Sequence, residues 1–194
     1  MTKTNYISDK FYLGYPVLIV LVRTAAGGVF ARTITSSYAL DDALFLGFGK
    51  DGTTTTALSV GAQLSVNVVS GEQGLFSDIA GAIPADRKLS ALVEAGATIA
   101  TADNGTPYLL ESPLSLICSV EEIRERGDYL HLTAKVNARL LDEGLLTADG
   151  SVDWQGYNPL IYMGDANNDA FYKKLSAEPT QVGHYLKNWK EKEK

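Results

Sequence analysis

The sequence predicts a mostly β protein, an antiparallel barrel with a few short helices inserted. Three observations support this prediction. Short apolar runs, β-branched or alternating with polar residues, occur about seven times and are separated by turns that contain glycine or aspartate. Helical spacing is confined to roughly two or three short segments, which do not alternate with strands as they do in a doubly wound parallel sheet. No GxGxxG motif follows a predicted strand, so a Rossmann fold is not expected.

The first half of the chain predicts three strands around a glycine-rich turn. YPVLIVLVRT (Tyr15–Thr24) reads as a buried strand, and AAGG (Ala25–Gly28) is a hairpin turn because glycine tolerates positive φ. VFARTITSSYAL continues as a strand with small polar residues, and ALFLGFG (Ala43–Gly49) is another buried strand. We expect a short helix over Thr55–Gly61.

Two helices are predicted near the middle of the chain, after a strand over QLSVNVVS. SGEQGLFSDIAG opens with Ser70 and has Gln73 three residues later, which is the pattern of a capping box. DRKLSALVEAG has apolar residues at helical spacing and ends at Gly96, a plausible C-terminal cap.

The second half returns to strands. After ATIATA, the segment PLSLICSVEEIRERGDYLHLTAKVNARLL alternates on both sides of a turn near Gly127, so it predicts a long, half-buried hairpin. NPLIYMG (Asn158–Gly164) is the last predicted strand. The final segment, HYLKNWKEKEK, is expected to be a solvated helix end or a frayed segment.

Composition limits the class of protein. The chain has 194 residues, a length typical of one domain, and a formal net charge of −6, so we expect no nucleic-acid partner. The start, MTKTNYISDK, lacks the apolar segment of a secretory signal, and the longest apolar run, Val17–Val22, is too short to cross a membrane. Cys118 is the single cysteine, which leaves no intrachain disulfide. We therefore expect a cytoplasmic protein without a membrane partner.

Side chains that could carry out catalysis by themselves are scarce. The two histidines are His131 and His184, and His131 alternates with leucines, so we expect a surface or interface position for it. No serine or cysteine stands in a nucleophile-elbow context. The pairs Asp41–Asp42 and Asp165/Asp169 are explained by turn chemistry, so no metal site is expected.

Four consecutive threonines, Thr53 to Thr56, follow a Lys–Asp–Gly turn between a predicted strand and a predicted helix. Hydroxyl and backbone N–H groups at such a junction can cradle a phosphate. The same residues can equally cap a helix and fill a loop. The local sequence leaves both interpretations open.

The order of several motifs resembles one family. In chain order, they are YPV (Tyr15–Val17), TITSSYALDDAL (Thr33–Leu44), GKDGTTTT (Gly49–Thr56) and LSVNV (Leu64–Val68). DRKLSALVEAG, SPLSLICSVEEIRERGDYLHLTAKV and NPLIYMG follow them. This order and spacing are similar to those of the flavin reductase-like family, to which flavoredoxins belong.

The resemblance implies a fold, a division of the chain and a set of ligands. The fold would be the FMN-binding split barrel, a split antiparallel β-barrel over residues 15–164, with an N-terminal arm (1–14) and a C-terminal tail (165–194). The ligands would be FMN and, as reductant, NADH or NADPH, in a homodimer with the flavin near the subunit interface.

The resemblance also implies where these ligands bind. The flavin phosphate would lie near Lys50 and Thr53–Thr55, and the segment 33–37 would follow the edge of the flavin ring. Arg87 and Lys88 would reach over the flavin or a nicotinamide phosphate, unless they are solvated helix charges. The expected cofactor-binding residues are Thr33, Thr35, Ser36, Ser37, Lys50, Thr53, Thr54, Thr55, Arg87 and Lys88.

Three positions depart from the family pattern. Gly52 stands where the phosphate loop commonly carries an arginine, so Lys50 is expected to be the main cation. Asp41–Asp42–Ala43 replaces DPP, and Tyr129 replaces the histidine of a GDH motif that would contact the nicotinamide.

The expected function is that of an NAD(P)H-dependent flavin reductase or a flavoredoxin-like electron carrier. No catalytic side chain is expected, because the flavin carries the chemistry. Two alternatives stay open: a non-catalytic protein that holds flavin or another planar cofactor such as haem, and an interaction domain with an empty barrel.

Overall fold

The computed structural model describes residues 3–8, 11–165 and 168–175, and all structural statements concern these residues. The helices are α1 (Gly74–Ala82), α2 (Ala85–Glu94) and two 3-10 helices, Thr53–Ala57 and Glu143–Leu145. The strands are β1 (Phe11–Pro16), β2 (Leu18–Arg23), β3 (Val29–Ile34), β4 (Ser37–Leu40), β5 (Ala43–Gly49), β6 (Gln63–Val68), β7 (Ile99–Thr101), β8 (Pro107–Leu109), β9 (Leu114–Arg126), β10 (Tyr129–Leu141), β11 (Ile161–Asp165) and β12 (Asn168–Lys173).

The main sheet has seven antiparallel strands in the order β3-β2-β6-β9-β10-β5-β4. Its two edge strands, β3 and β4, are separated in sequence only by Thr35 and Ser36. Three Cα–Cα steps span at most about 11 Å, so the sheet must curl until its edges almost meet. This gap between the edges is the split of the barrel. The mostly β, split-barrel fold expected from the sequence is confirmed.

Strand β2 is buried on both faces, which explains its unbroken apolar sequence. Leu18, Val20 and Val22 belong to the cluster inside the barrel, which also contains side chains of β5, β6, β9 and β10. Ile19 and Leu21 face the other way and share a second cluster with residues of α1 and α2. The helices therefore cover the outside of the barrel next to β3, where they also meet one side of the split.

Two smaller sheets complete the fold. Strands β1, β11 and β12 form a three-stranded antiparallel sheet in the order β1-β11-β12, and β7 pairs with β8. Strand β1 begins within the predicted N-terminal arm (1–14), and β12 lies in the predicted tail (165–194). Among the described residues, no helix combines the length and the apolar character that crossing a membrane requires.

Several predicted elements have the bounds that the sequence suggested. The hairpin of β9 and β10 turns at Gly127, which has φ +56°. Helix α2 ends at Glu94, Gly96 follows its C-cap residue with φ +98°, and the N–H of Ala97 donates to the carbonyl of Leu92 at 2.9 Å. This is a Schellman motif, as the glycine predicted. The segment HYLKNWKEKEK, with His184, lies outside the described residues.

Other bounds differ because strands change partner. The strand predicted over Tyr15–Thr24 is interrupted at Val17, where the chain leaves β11 and pairs with β6. The one predicted over VFARTITSSYAL is interrupted at Thr35 and Ser36, where the chain crosses the split.

The predicted helix starts also differ. Instead of a helix over Thr55–Gly61, a 3-10 helix ends at Ala57, before a turn at Gly61 with φ +85°. The Ser70 N–H donates to Gln73 Oε1 at 3.0 Å, which is one half of the expected capping box. Helix α1 nevertheless begins at Gly74, because Ser70 is held in a bridge to Pro159.

Candidate functional site

A cleft opens at the split of the barrel and has two adjoining compartments. Their volumes are about 580 Å³ and about 460 Å³, each within the range of small-molecule sites. The residues that line both compartments are Tyr12, Ser36, Gly47, Tyr129 and His131. The cleft is therefore one elongated space, with the link between β3 and β4 along its wall.

The first compartment is largely apolar and aromatic. Tyr38 and Phe45 are directly opposite each other on β4 and β5, and their rings stack with centroids 4.4 Å apart and planes within 8°. Tyr15 and Leu46 also line this space. An aromatic compartment of this kind can accept a flat, conjugated ring.

Gly47 allows the link between β3 and β4 to come close to β5. A Cβ at position 47 would lie 2.9 Å from the Cβ of Ser36, which is closer than side chains pack. The Gly47 N–H donates to the Ser36 carbonyl at 2.8 Å. Gly47 thus fixes the position of Ser36 in the wall of the cleft.

The second compartment is more polar and contains a cation. Arg32, Thr33 and Thr35 line it, together with Gly49 and other residues. Arg32 Nη1 donates to the Gly49 carbonyl at 3.1 Å, so the guanidinium reaches from β3 across the split to β5. Burial lowers the pKa of Arg32, and the charge of Asp51 acts in the opposite direction. Arginine titrates so far above neutrality that the group stays charged.

The segment 33–37, expected to follow a ring edge, lies in the cleft wall. Thr33, Thr35 and Ser36 line the second compartment, and Ser36 and Ser37 line the first. Thr33 Oγ1 donates to the Ser77 carbonyl at 2.6 Å, which ties β3 to α1. Within the described part of the chain, the hydroxyls of Thr35, Ser36 and Ser37 have no protein partner, nor do the backbone N–H groups of Thr35 and Ser36.

The threonine run is arranged differently. Thr55 Oγ1 donates to the carbonyls of Lys50 and Gly52, and Thr56 Oγ1 donates to the Thr53 carbonyl at 2.6 Å. Thr54 is buried, with its hydroxyl 3.5 Å from the Ala31 carbonyl. These three hydroxyls hold the loop in place, although none of them accepts a bond as a helix cap, since Gly52 is the N-cap residue.

None of Thr53, Thr54 and Thr55 lines either compartment. Thr53 is exposed, and its hydroxyl has no partner among the residues that the structure describes. A role of these residues in phosphate binding stays a prediction.

The predicted cations occupy different environments. Lys50 Nζ lies 2.6 Å from Glu125 Oε2 and does not line the cleft. Arg87 is exposed on α2. Lys88, the next residue, is partly buried on the helix that packs against β3, and burial together with the charge of Arg32 lowers the pKa of Lys88. Arg87 and Lys88 do not line the compartments either.

Sequence reasoning missed several residues of the cleft. Arg32 lies directly before the segment 33–37, and no signal in the sequence connects it with Gly52, 20 positions later. His131 and Tyr129 alternate along β10 and line both compartments, so His131 is exposed, as expected, but within the cleft. Tyr12 was assigned to the N-terminal arm.

Among the described residues, no cysteine lines either compartment, and Cys118 is buried in the core. Burial raises the pKa of the Cys118 thiol to about 12, so this residue is an inert part of the core. No cluster of three or more metal-ligating side chains occurs within residues 3–8, 11–165 and 168–175. The arrangement suits binding of a planar, anionic molecule.

The chain matches a known family over most of its length. Residues 11–169 match the family model described as "Flavin reductase like domain". The comparison with curated proteins found no match.

Solved structures are similar in fold. Flavoredoxin of Desulfovibrio vulgaris (Miyazaki F) has a TM-score of 0.80 at 14% identity, covering 94% of this chain and 98% of that one. Flavoredoxin from Methanosarcina acetivorans has a TM-score of 0.79 at 17% identity, covering 95% and 100%. The NADH:FAD oxidoreductase of Streptomyces globisporus C-1027 has a TM-score of 0.66 at 14% identity, covering 87% and 89%.

At these identities the structural likeness establishes the fold, and the family model establishes the membership. The chain belongs to the flavin reductase-like family and is a flavin-handling oxidoreductase.

Proposed function

We propose that the protein binds FMN in the cleft at the barrel split and that NADH or NADPH reduces the bound flavin there. It would act as a flavin reductase or as a flavoredoxin-like electron carrier. One observation carries this proposal: an aromatic compartment and a compartment with a cation adjoin, and the residues 35–37 lie between them with hydrogen-bond donors that have no partner in the described part of the chain.

The residues present fit FMN part by part. The flat ring suits the compartment lined by the stacked pair of Tyr38 and Phe45. The polar edge of the ring needs hydrogen-bond donors, and the N–H and hydroxyl groups of Thr35 and Ser36 are available. The phosphate needs a cation, and Arg32 lines the second compartment. FAD has the same ring with a longer tail, so the shared part of both flavins fits this cleft.

When bound, flavin would supply the hydride-accepting redox chemistry. The protein's own residues bind and orient. Gly47 fixes Ser36 against β5, and Thr33 fixes β3 against α1, so the donors at 35 and 36 are held between two anchored strands. Such preorganisation favours close approach of a reductant without a protein acid–base pair.

We further propose a homodimer in the cytoplasm. Strand β4 is an edge of the main sheet, and its Tyr38 and Leu40 are 59% and 63% exposed next to the cleft. An apolar sheet edge of this kind is usually covered. A single buried thiol, Cys118, suits a reducing compartment. Sedimentation equilibrium of the purified chain tests the dimer, and cell fractionation tests the compartment.

A second candidate is a protein that holds haem without turnover. It is favoured by His131, which lines both compartments and could supply an axial ligand. Haem and flavin have distinct visible spectra, so one spectrum separates the two candidates.

The test is a visible absorption spectrum of the purified protein, repeated after addition of FMN and desalting, followed by anaerobic addition of NADH or NADPH. We expect flavin bands that survive desalting and bleach with one of the two nucleotides. Flavin bands that do not bleach with either nucleotide would indicate a non-catalytic protein that holds flavin. A colourless protein that FMN does not stabilise against heat would exclude the flavin site.

A further inference from the structure

The backbone conformation at position 52 does not require glycine. Its dihedral angles, φ −89° and ψ 136°, are open to any residue. A Cβ at this position, however, would lie 1.6 Å from Nη1 of Arg32, which amounts to complete overlap. The loop therefore has glycine at position 52 because a guanidinium from another strand occupies the space of its side chain.

The guanidinium of Arg32 lies against the loop. Its Nη1 donates to the Gly49 carbonyl, and its Nη2 would be 3.3 Å from a Cβ at Gly49, so two glycines make room for the same group. The guanidinium also lines the second compartment of the cleft. One side of the group thus contacts the loop, and donors that Gly49 does not use remain for a ligand.

The charge of Arg32 has no ion-pair partner among the described residues. Lys50 pairs with Glu125, and Lys174 pairs with Glu72. Near Arg32, by contrast, stands a second cation, Lys88, which also forms no ion pair in the described part of the chain. Arg32 and Lys88 are both partly buried and repel each other, and the charge of Asp51 offsets the burial of Arg32 only in part. A bound dianion would relieve this repulsion.

We propose that Arg32 binds the phosphate of the flavin, and that Gly52 leaves the space that the guanidinium of this arginine occupies. The proposal rests on the flavin site proposed above and assigns its phosphate to strand β3, whereas the sequence had pointed to Lys50 and the threonines. A planar guanidinium can donate two parallel hydrogen bonds to a phosphate. The protein should therefore prefer FMN to riboflavin, and Arg32 should carry that preference.

The experiment compares the affinities of the full chain, freed of bound flavin, for FMN and for riboflavin by fluorescence quenching. In Arg32→Ala we expect FMN affinity to fall roughly 10- to 100-fold, while riboflavin affinity stays within about threefold. Lys50→Ala is the matched control and should change neither by more than about threefold. Retained riboflavin binding reports that the variant is folded.

A relocation variant sharpens the test. Arg32→Ala combined with Gly52→Arg returns the cation to the loop and should recover most of the lost FMN affinity. Gly52→Arg alone forces two guanidinium groups into one space and should weaken FMN binding.

Each failure has a distinct meaning. If the wild-type chain binds neither riboflavin nor FMN, the proposed flavin site is wrong. If FMN binds wild type and Arg32→Ala alike, or Lys50→Ala loses as much as Arg32→Ala, the flavin site stands and the role of Arg32 is overturned. An Arg32→Ala variant that keeps FMN affinity but loses a preference for NADPH over NADH would assign the cation to the nicotinamide nucleotide, which also overturns the inference.

Discussion

Two hydroxyl-rich segments, 35–37 and 53–56, look alike in the sequence and differ in the structure. In the threonine run, the hydroxyls of Thr54, Thr55 and Thr56 all face backbone carbonyls of the loop or of β3. In the link across the split, the hydroxyls of Thr35, Ser36 and Ser37 have no partner among the described residues, and they line the cleft.

Local conformation causes this difference. A 3-10 turn brings each hydroxyl within reach of the carbonyl three residues before it, as for Thr56 and Thr53, so side chains and backbone satisfy each other. The chain between β3 and β4 instead crosses between two strands, and its hydroxyls make no such bond to a described residue. A run of hydroxyls thus indicates a ligand site only where the fold leaves these hydrogen-bond donors without a protein acceptor.

We expect the largest effect from a variant that displaces Thr35 and Ser36, the link between β3 and β4 that crosses the split. In Gly47→Ala the new methyl group would meet the Cβ of Ser36 at 2.9 Å, so the link must shift. Such overpacking costs about 1–3 kcal/mol, and we expect flavin affinity to fall roughly 10- to 100-fold for FMN and riboflavin alike. The double variant Gly47→Ala, Ser36→Gly removes the contact and should recover part of the affinity. Unchanged flavin binding in Gly47→Ala would mean that the link is not part of the site.

The next effect should be on stability alone. Thr55→Val leaves the carbonyls of Lys50 and Gly52 without the hydroxyl that donates to them. We expect the free energy of unfolding to fall by about 1–2 kcal/mol in a urea titration, with flavin affinity within about threefold of wild type. A stable Thr55→Val variant that loses FMN binding would return the threonine run to the phosphate site.

The complementary variant is Thr35→Val, which removes a hydroxyl from the cleft wall without breaking a hydrogen bond to any described residue. We expect flavin affinity to fall about fivefold, with the free energy of unfolding changed by less than about 0.5 kcal/mol. Fluorescence quenching and urea titration measure the two quantities on the same sample. Loss of stability without loss of affinity would remove the contrast between the segments.

The smallest effect extends the comparison to the lysines. Lys50 already pairs with Glu125, whereas Lys88 has no ion-pair partner among the described residues and lies within reach of the charge of Arg32. We expect Lys88→Ala to lower FMN affinity about threefold in low salt and less in high salt, with riboflavin unaffected. Lys50→Ala should show neither the loss nor its salt dependence. FMN titrations of both variants at two ionic strengths, followed by fluorescence quenching, test this difference. Equal losses in the two variants would contradict it.

Much of the fold could be predicted because it rests on local patterns. Alternating apolar residues defined β9 and β10, and Gly96 marked the end of α2. Bounds were missed where a strand changes partner, as at Val17, because only the neighbouring strands decide that break.

The site was predictable only in part. The segment 33–37 was identified through its hydroxyls and its resemblance to the family, and it does line the cleft. Arg32 was missed because its guanidinium occupies the side-chain space of Gly52, which is 20 positions along the chain. No local pattern connects the two residues.

The sequence by itself determined the family, the antiparallel strands and the hydroxyl-rich composition of two segments, since periodicity, turn residues and motif order are properties of neighbours in the chain. Only the tertiary structure decided which hydroxyls stay available and which cation faces the cleft. The curling of the sheet brings β3 against β5, and this closure alone puts the guanidinium of Arg32 in the space above Gly52.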